Sequence, residues 1–146
     1  MKILIVDGQG GGIGRQLVEA LKREGERDIT CVGTNAIATS AMLRAGAARA
    51  ATGENAVAVA CREAEGIAGP VGIVIADALF GEITPKMALS VGQSSAKRIF
   101  RTISQPAFKT VFPDRLAALL WRSIDGPRQA DRSRALPVPN RVILRP

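Results

Sequence analysis

A chain of 146 residues falls in the usual single-domain range of roughly 100–200 residues, so one hydrophobic core is expected. Its 47% hydrophobic content includes only 3% aromatic residues, which builds a core from Ala, Val, Ile and Leu and argues against single-stranded nucleic-acid binding by base stacking. The net charge of +7 is confined to one end: residues 1–96 hold nine Lys or Arg against ten Asp or Glu, and residues 97–146 hold eleven against three.

The chain opens on "KILIVDG", a short apolar run closed by a turn signal, which reads as a buried parallel strand. Four apolar residues before Asp7 are too few for a signal peptide or a membrane span, so a cytoplasmic protein without a membrane partner is expected. From Gly12 to Glu24 the period changes: Ile13, Leu17 and Leu21 fall four apart with Val18 beside them, and the charges fall elsewhere. This is an amphipathic helix that Gly25 is placed to end. "DITCVGT", Asp28 to Thr34, is a second strand. "NAIATSAMLRAGAARA" has helix-forming composition with Gly46 as its stop, and "TGENAVAVACREA" predicts a helix capped by Thr52 and running to about Ala64.

"EGIAG" is a third strand, closed by Gly69 and Pro70. The run "VGIVIADAL", Val71 to Leu79, fits strand or buried helix by periodicity; helix is the expectation, with Pro70 in its first turn. "ITPKMALSVGQSSA" predicts another helix, with Thr84 capping and Pro85 in the first position, and "KRIFRTIS" a fourth strand. The expected fold is therefore α/β, a Rossmann-like three-layer arrangement with a small parallel sheet of about four strands and helices on both faces, over residues 1–104. After Ser104 lie six of the eight prolines and one of the fifteen glycines. Residues 105–146 read as a basic Pro/Arg-rich segment with one helix at 114–125 and a poorly ordered remainder. Cys31 and Cys61 have neither C-x-x-C spacing nor any histidine beside them, which makes them reduced core residues and leaves no metal ligand set in view.

"DGQGGGIGR", Asp7 to Arg15, packs five glycines into seven positions, where a turn alone needs one or two. Gly8, Gly12 and Gly14 fit G-x-x-x-G-x-G and resemble the cofactor loop of short-chain dehydrogenases. They do not fit G-x-G-x-x-G, because Ile13 and Arg15 intervene, and no Gly-Lys pair exists for a Walker loop. Glycines permit the tight strand-to-helix turn, let a ligand approach the backbone and leave helix amides facing an anion. The candidate cofactor-binding residues are Asp7, Gly8, Gln9, Gly10, Gly11, Gly12, Ile13 and Gly14. Thr34 and Asn35 after strand two, and Gly69 and Pro70, join them on the rim that a parallel sheet creates.

Two features shape the ligand expectation. Asp7 beside a phosphate costs energy unless it faces a ribose, a metal or an amide; a bridging magnesium and a simple turn cap are both open to it. At the end of strand two, Gly33, Thr34 and Asn35 stand where an acidic residue commonly takes ribose hydroxyls. Those neutral groups leave NAD unsupported and allow NADP, a mononucleotide or a sugar phosphate, with Arg44 a remote candidate for an extra phosphate. Plain turn and cap roles are the alternative for Thr34 and Asn35.

The blocks "KILIVDGQGGGIGRQLVEAL", "GTNAIATSAMLRAGA", "ATGENAV", "GPVGIVIADALFGEITPKMALSVGQS" and "AKRI", in that order, resemble a bacterial family called domain of unknown function 3842. The resemblance covers about residues 1–99 and implies a small intracellular bacterial protein with a Rossmann-like start; the family carries no assigned activity to transfer. Past about residue 99 the chain departs from that pattern, through a diverged tail or an altered reading frame.

With no Tyr and no His, a Tyr-Lys dehydrogenase pair, a Ser-His-Asp triad and a histidine-bound metal are all excluded. Glu54, Asn55, Asp77, Glu82 and Lys86 are the remaining polar candidates. Asp77 and Glu82 lie within an apolar segment and call for partners; a structural salt link to Lys86 or Arg44 is expected ahead of catalysis. Catalytic residues stay unassigned, and the sequence does not decide between an enzyme and a binding subunit. The expected function is binding of a nucleotide or phosphorylated metabolite at the glycine loop. The alternative is a non-catalytic regulatory or oligomer-forming subunit that uses the "GIVIADALF" surface. Nucleic-acid binding through the basic tail ranks last. A homodimer is a reasonable partner expectation, since about a hundred residues form a small core.

Overall fold

The computed structural model describes residues 1–101; the segment expected at 105–146 and its helix at 114–125 lie outside the described residues. Strand and helix alternate along the chain, and the strands are β1 (Ile3–Asp7), β2 (Ile29–Gly33), β3 (Arg49–Thr52), β4 (Gly66–Pro70) and β5 (Lys97–Arg101). They form one sheet in the order β3-β2-β1-β4-β5, every pairing parallel. The order reverses between β1 and β4. In an open parallel sheet that reversal leaves a crevice beyond the carboxyl ends of the two strands, and this is where the glycine loop begins.

The helices are α1 (Gly12–Arg23), α2 (Ala36–Arg44), α3 (Glu54–Glu63) and α4 (Pro85–Gln93). Residues of β1 alternate between two cores, as the two-residue period of a strand requires. Ile3 and Ile5 pack with Leu17, Val18 and Leu21 of α1 and Met42 of α2; Leu4 and Val6 pack with Val57 of α3 and Met87 and Val91 of α4. A parallel strand covered on both faces reads as a near-continuous apolar run, here broken only by Asp7 at its end. The three-layer Rossmann-like α/β fold expected from the sequence is present, as are the free, buried Cys31 and Cys61, whose thiols burial pushes up to about 11.

Helix ends follow their punctuation. Gly25 and Gly46 take φ of 86° and 106° just after α1 and α2. The side chain of Asn35 accepts from the Ala38 amide at 2.9 Å to cap α2, and Thr84 caps α4 ahead of Pro85.

Three expectations are corrected. The sheet has five strands, not four, because "RAAT" forms β3; it is a short, largely exposed edge strand with no apolar alternation to announce it. "EGIAG" is accordingly the fourth strand and "KRIFR" the fifth. Thr52 closes β3, and the helix after it starts beyond Gly53 at φ 97°, so Thr52 is not its cap. The helix expected over Val71 to Leu79 is also absent: Val71–Val74 forms a single 3-10 turn and irregular turns follow. Asp77, Leu79 and Phe80 adopt φ of 63°, 56° and 58°, which no right-handed helix accommodates.

Candidate functional site at the carboxyl rim of the sheet

Asp7, the last residue of β1, is the buried charged residue of the core, with 4% of its surface exposed. One carboxylate oxygen accepts the Gly8 amide at 2.8 Å and the other the Gly14 amide, in the first turn of α1, at 2.6 Å. A carboxylate at a helix amino terminus satisfies orphan amides and opposes the helix dipole. Burial pushes the Asp7 carboxyl above its ordinary value; the amides of Gly14, Gly8 and Ile13 pull it back, and the charge of Glu82 adds to the rise. Of the roles open to Asp7, the structure displays the cap: it faces amides.

Three glycines of the loop have a packing reason. A Cβ on Gly8 would meet the Glu82 carboxylate and the Thr34 hydroxyl at 2.7 Å, and one on Gly11, already at φ 66°, would meet the backbone of Ala38 at 2.7 Å. A Cβ on Gly14 would strike Met42 and Asp7. Gly10 and Gly12 differ, because nothing lies within 4 Å of the Cβ they lack and neither has a positive φ.

A second carboxylate comes to this loop from far along the chain. Oε2 of Glu82 accepts from the Gln9 amide at 2.8 Å, from the Thr34 hydroxyl and from the Asn35 side-chain amide at 3.0 Å. Oε1 accepts no hydrogen bond among the described residues. The Gln9 amide foremost, then the Thr34 hydroxyl, hold the Glu82 carboxyl below its ordinary value, against a smaller opposing effect of burial. Asn35 both caps α2 and stitches the rim, since its side-chain amide also donates to the Gln9 carbonyl at 3.0 Å. The cap role is the alternative expectation for it from the sequence; the link to Glu82 is additional.

The salt link anticipated between Glu82 and Lys86 is therefore corrected. Lys86 lies in the first turn of α4 and its Nζ sits 3.2 Å from Oε1 of Glu54, while Thr84 donates to the other Glu54 oxygen at 2.6 Å. These two contacts, the Thr84 hydroxyl first, hold the Glu54 carboxyl below its ordinary value. Asp77 is exposed.

The rim thus gathers Asp7 to Gly14, Thr34 and Asn35, and adds Glu82. Gly69 and Pro70 lie beside them at the end of β4, but each has a structural account: Gly69 leaves room for the Val6 carbonyl, and Pro70 is buried at the start of the 3-10 turn. Sequence reasoning picked out Glu82 as an acid in an apolar segment that needs a partner, and assigned it the wrong one. An apolar groove of about 540 Å³ lies elsewhere, over β2 and β3 beside α3, lined by Leu4, Val32, Ala56 and Val59 among others, and none of the rim residues lines it. Among the described residues no three His, Cys, Asp or Glu side chains group as metal ligands, and no helix is long and apolar enough to cross a membrane.

Sheet order, layering and a helix launched from the first strand through glycines define a Rossmann-like α/β protein, a fold compatible with nucleotide and cofactor binding in general. The chain belongs to the family described as Domain of unknown function (DUF3842), whose model matches residues 2–119. That match runs about twenty residues past residue 99, the expected point of departure from the family pattern, so residues 100–119 still follow it; it also crosses the boundary expected at residue 104. No curated protein and no solved structure matches the chain.

Proposed function

We propose that the protein binds a nucleotide or another phosphorylated metabolite on the carboxyl rim, with the loop Gly8 to Gly14 against the phosphate and Thr34 and Asn35 beside it. The observation that carries this reading is the pair Gly10 and Gly12. Neither backbone conformation nor packing asks for glycine at these positions, and their amides make no hydrogen bond among the described residues. A ligand that must reach the backbone does ask for it. Asp7 and Glu82 occupy the amides of Gly8, Gln9 and Gly14, so the phosphate meets the outer part of the loop.

The test is a thermal-denaturation series on the full chain with NAD, NADP, adenine and guanine nucleotides and sugar phosphates. At a hundredfold excess over Kd a ligand stabilises by about 2.7 kcal/mol, which raises the midpoint by several degrees. In Gly12→Val that rise disappears, and the ligand-free stability stays within about 1 kcal/mol of the parent because the position is open. A variant that responds as the parent does overturns the assignment of the loop.

A second reading, a non-catalytic subunit that associates through the "GIVIADALF" surface, draws on Phe80 and Ile75, which are 100% and 52% exposed. Exposed apolar side chains in one loop suit a protein contact. A chain that none of these ligands stabilises is left with this reading.

A further inference from the structure

We infer that Glu82 selects the sugar of the ligand: Oε1 accepts hydrogen bonds from a free ribose diol, so the rim takes a nucleotide with an unsubstituted 2′-hydroxyl and rejects a 2′-phosphate. The inference rests on the ligand reading above and narrows it.

Position is the first argument. In doubly wound sheets the ribose lies beside the end of the second strand, beyond the glycine loop, where an acidic side chain takes its hydroxyls. Here β2 ends at Gly33 and is followed by Thr34 and Asn35, with no acid of its own. Thr34 and Asn35 instead hold an acid contributed from residue 82. The neutral end of β2, which by itself admits NADP, acquires a carboxylate.

Orientation is the second. Three donors converge on Oε2 and fix the carboxylate, while Oε1 is left without a partner among the described residues. A carboxylate only accepts hydrogen bonds, so its ligand partner must be a donor, and a phosphate set there meets like charge. No Lys or Arg is paired with Glu82 among the described residues to soften that repulsion. Arg44 closes α2 at the end away from the rim, about 13 Å along the helix axis from its start. Asp7 does not compete for the sugar, since both its oxygens hold amides.

The third argument is the loop that delivers Glu82. Asp77, Leu79 and Phe80 take positive φ, a conformation that bulky residues rarely hold and that persists where surrounding contacts impose it. The contacts in question are the buried Ile83 on one side and the Glu82 carboxylate on the other.

Dissociation constants of the full chain for NAD against NADP, and for ATP against 2′-deoxy-ATP, measured by calorimetry, test the inference. A hydrogen bond to a charged acceptor corresponds to about a tenfold difference. NAD is therefore expected to bind at least about tenfold more tightly than NADP, and ATP about tenfold more tightly than its deoxy form, with Glu82→Gln bringing both ratios towards one. The ratios in the parent need no variant, so a poorly folded Glu82→Gln does not spare the inference. Equal affinities in the parent, or ratios that Glu82→Gln leaves unchanged, overturn it; if Gly12→Val still abolishes binding, the glycine-loop reading stands without it. A parent that binds none of the four overturns the inference, and the ligand reading falls with it only if the guanine nucleotides and sugar phosphates of the thermal series also fail to stabilise the chain.

Discussion

The loop after β1 passes through the left-handed region at Gln9 and Gly11, with φ of 51° and 66°, whereas the loop between β4 and α4 does so at Asp77, Leu79 and Phe80 as well as at Gly81. One meets a backbone requirement with a glycine at its closest approach; the other imposes it mostly on side chains that resist it. The difference lies in what anchors each. In the first loop the backbone itself comes close to a neighbour, Gly11 against Ala38, and only the absence of Cβ lets it. In the second, the Asp77 amide donates to the Ile83 carbonyl at 2.8 Å, the Gly81 amide to the Asp77 carbonyl at 3.0 Å, and Glu82 reaches the rim. Anchors at both ends over-determine the residues between, and strain survives there.

The sharpest way to break this contrast is Gly11→Ala. A left-handed non-glycine residue costs about 1–2 kcal/mol, and displacing the Ala38 backbone adds about as much again. A loss of about 3 kcal/mol in urea unfolding is expected, and a loss under about 1 kcal/mol would mean that the glycine there is not structural. The second loop predicts the opposite sign. Phe80 is 100% exposed, so Phe80→Gly removes strain without removing packing. Relief of about 1–2 kcal/mol, less the extra chain entropy of glycine, leaves a gain of about 1 kcal/mol by the same measurement. A loss instead would show that the ring has a partner in solution.

The same contrast explains how far the sequence could be read. The extents of α1, α2 and α4 and their ends are local properties: apolar spacing in α1, Asn35 and Thr84 as caps, Gly25 and Gly46 as stops. Glycines also advertise the first loop. β3 is four residues on an exposed edge, too short and too polar to carry an alternation, so it merged into the helical texture around it. The second loop was illegible for another reason. Its conformation depends on Glu82 meeting Gln9, Thr34 and Asn35 at separations of 73, 48 and 47 residues, and no local pattern encodes such partners. Val71 to Leu79 is apolar enough to suggest a helix, and the anchoring at Ile83 and Glu82 holds it in turns instead.

The smallest expected effect concerns the charge that anchors the second loop. Glu82 has its carboxyl held below the ordinary value of 4.5, so its contribution to stability is present above that value and is lost as pH falls through the lower, folded-state one. Asp7 runs the other way: its carboxyl is raised above 3.8, so its contribution is present below 3.8 and declines as pH rises through the raised value. A single pH profile of the parent therefore mixes opposing trends, with Glu54 lowered in the same direction as Glu82. The difference between the parent and Glu82→Gln cancels the effect of Glu54 and most of that of Asp7, leaving the effect of Glu82 together with the smallest part of the Asp7 rise, which the Glu82 charge causes. Glu82 is substantially solvated, so screening limits the difference to about 0.5 kcal/mol. It should appear in unfolding free energies near pH 6 and fade below about pH 4.5. A difference that is flat across this range would mean that the loop is held by Ile83 and its backbone bonds alone, and the two loops would then share the same kind of anchor.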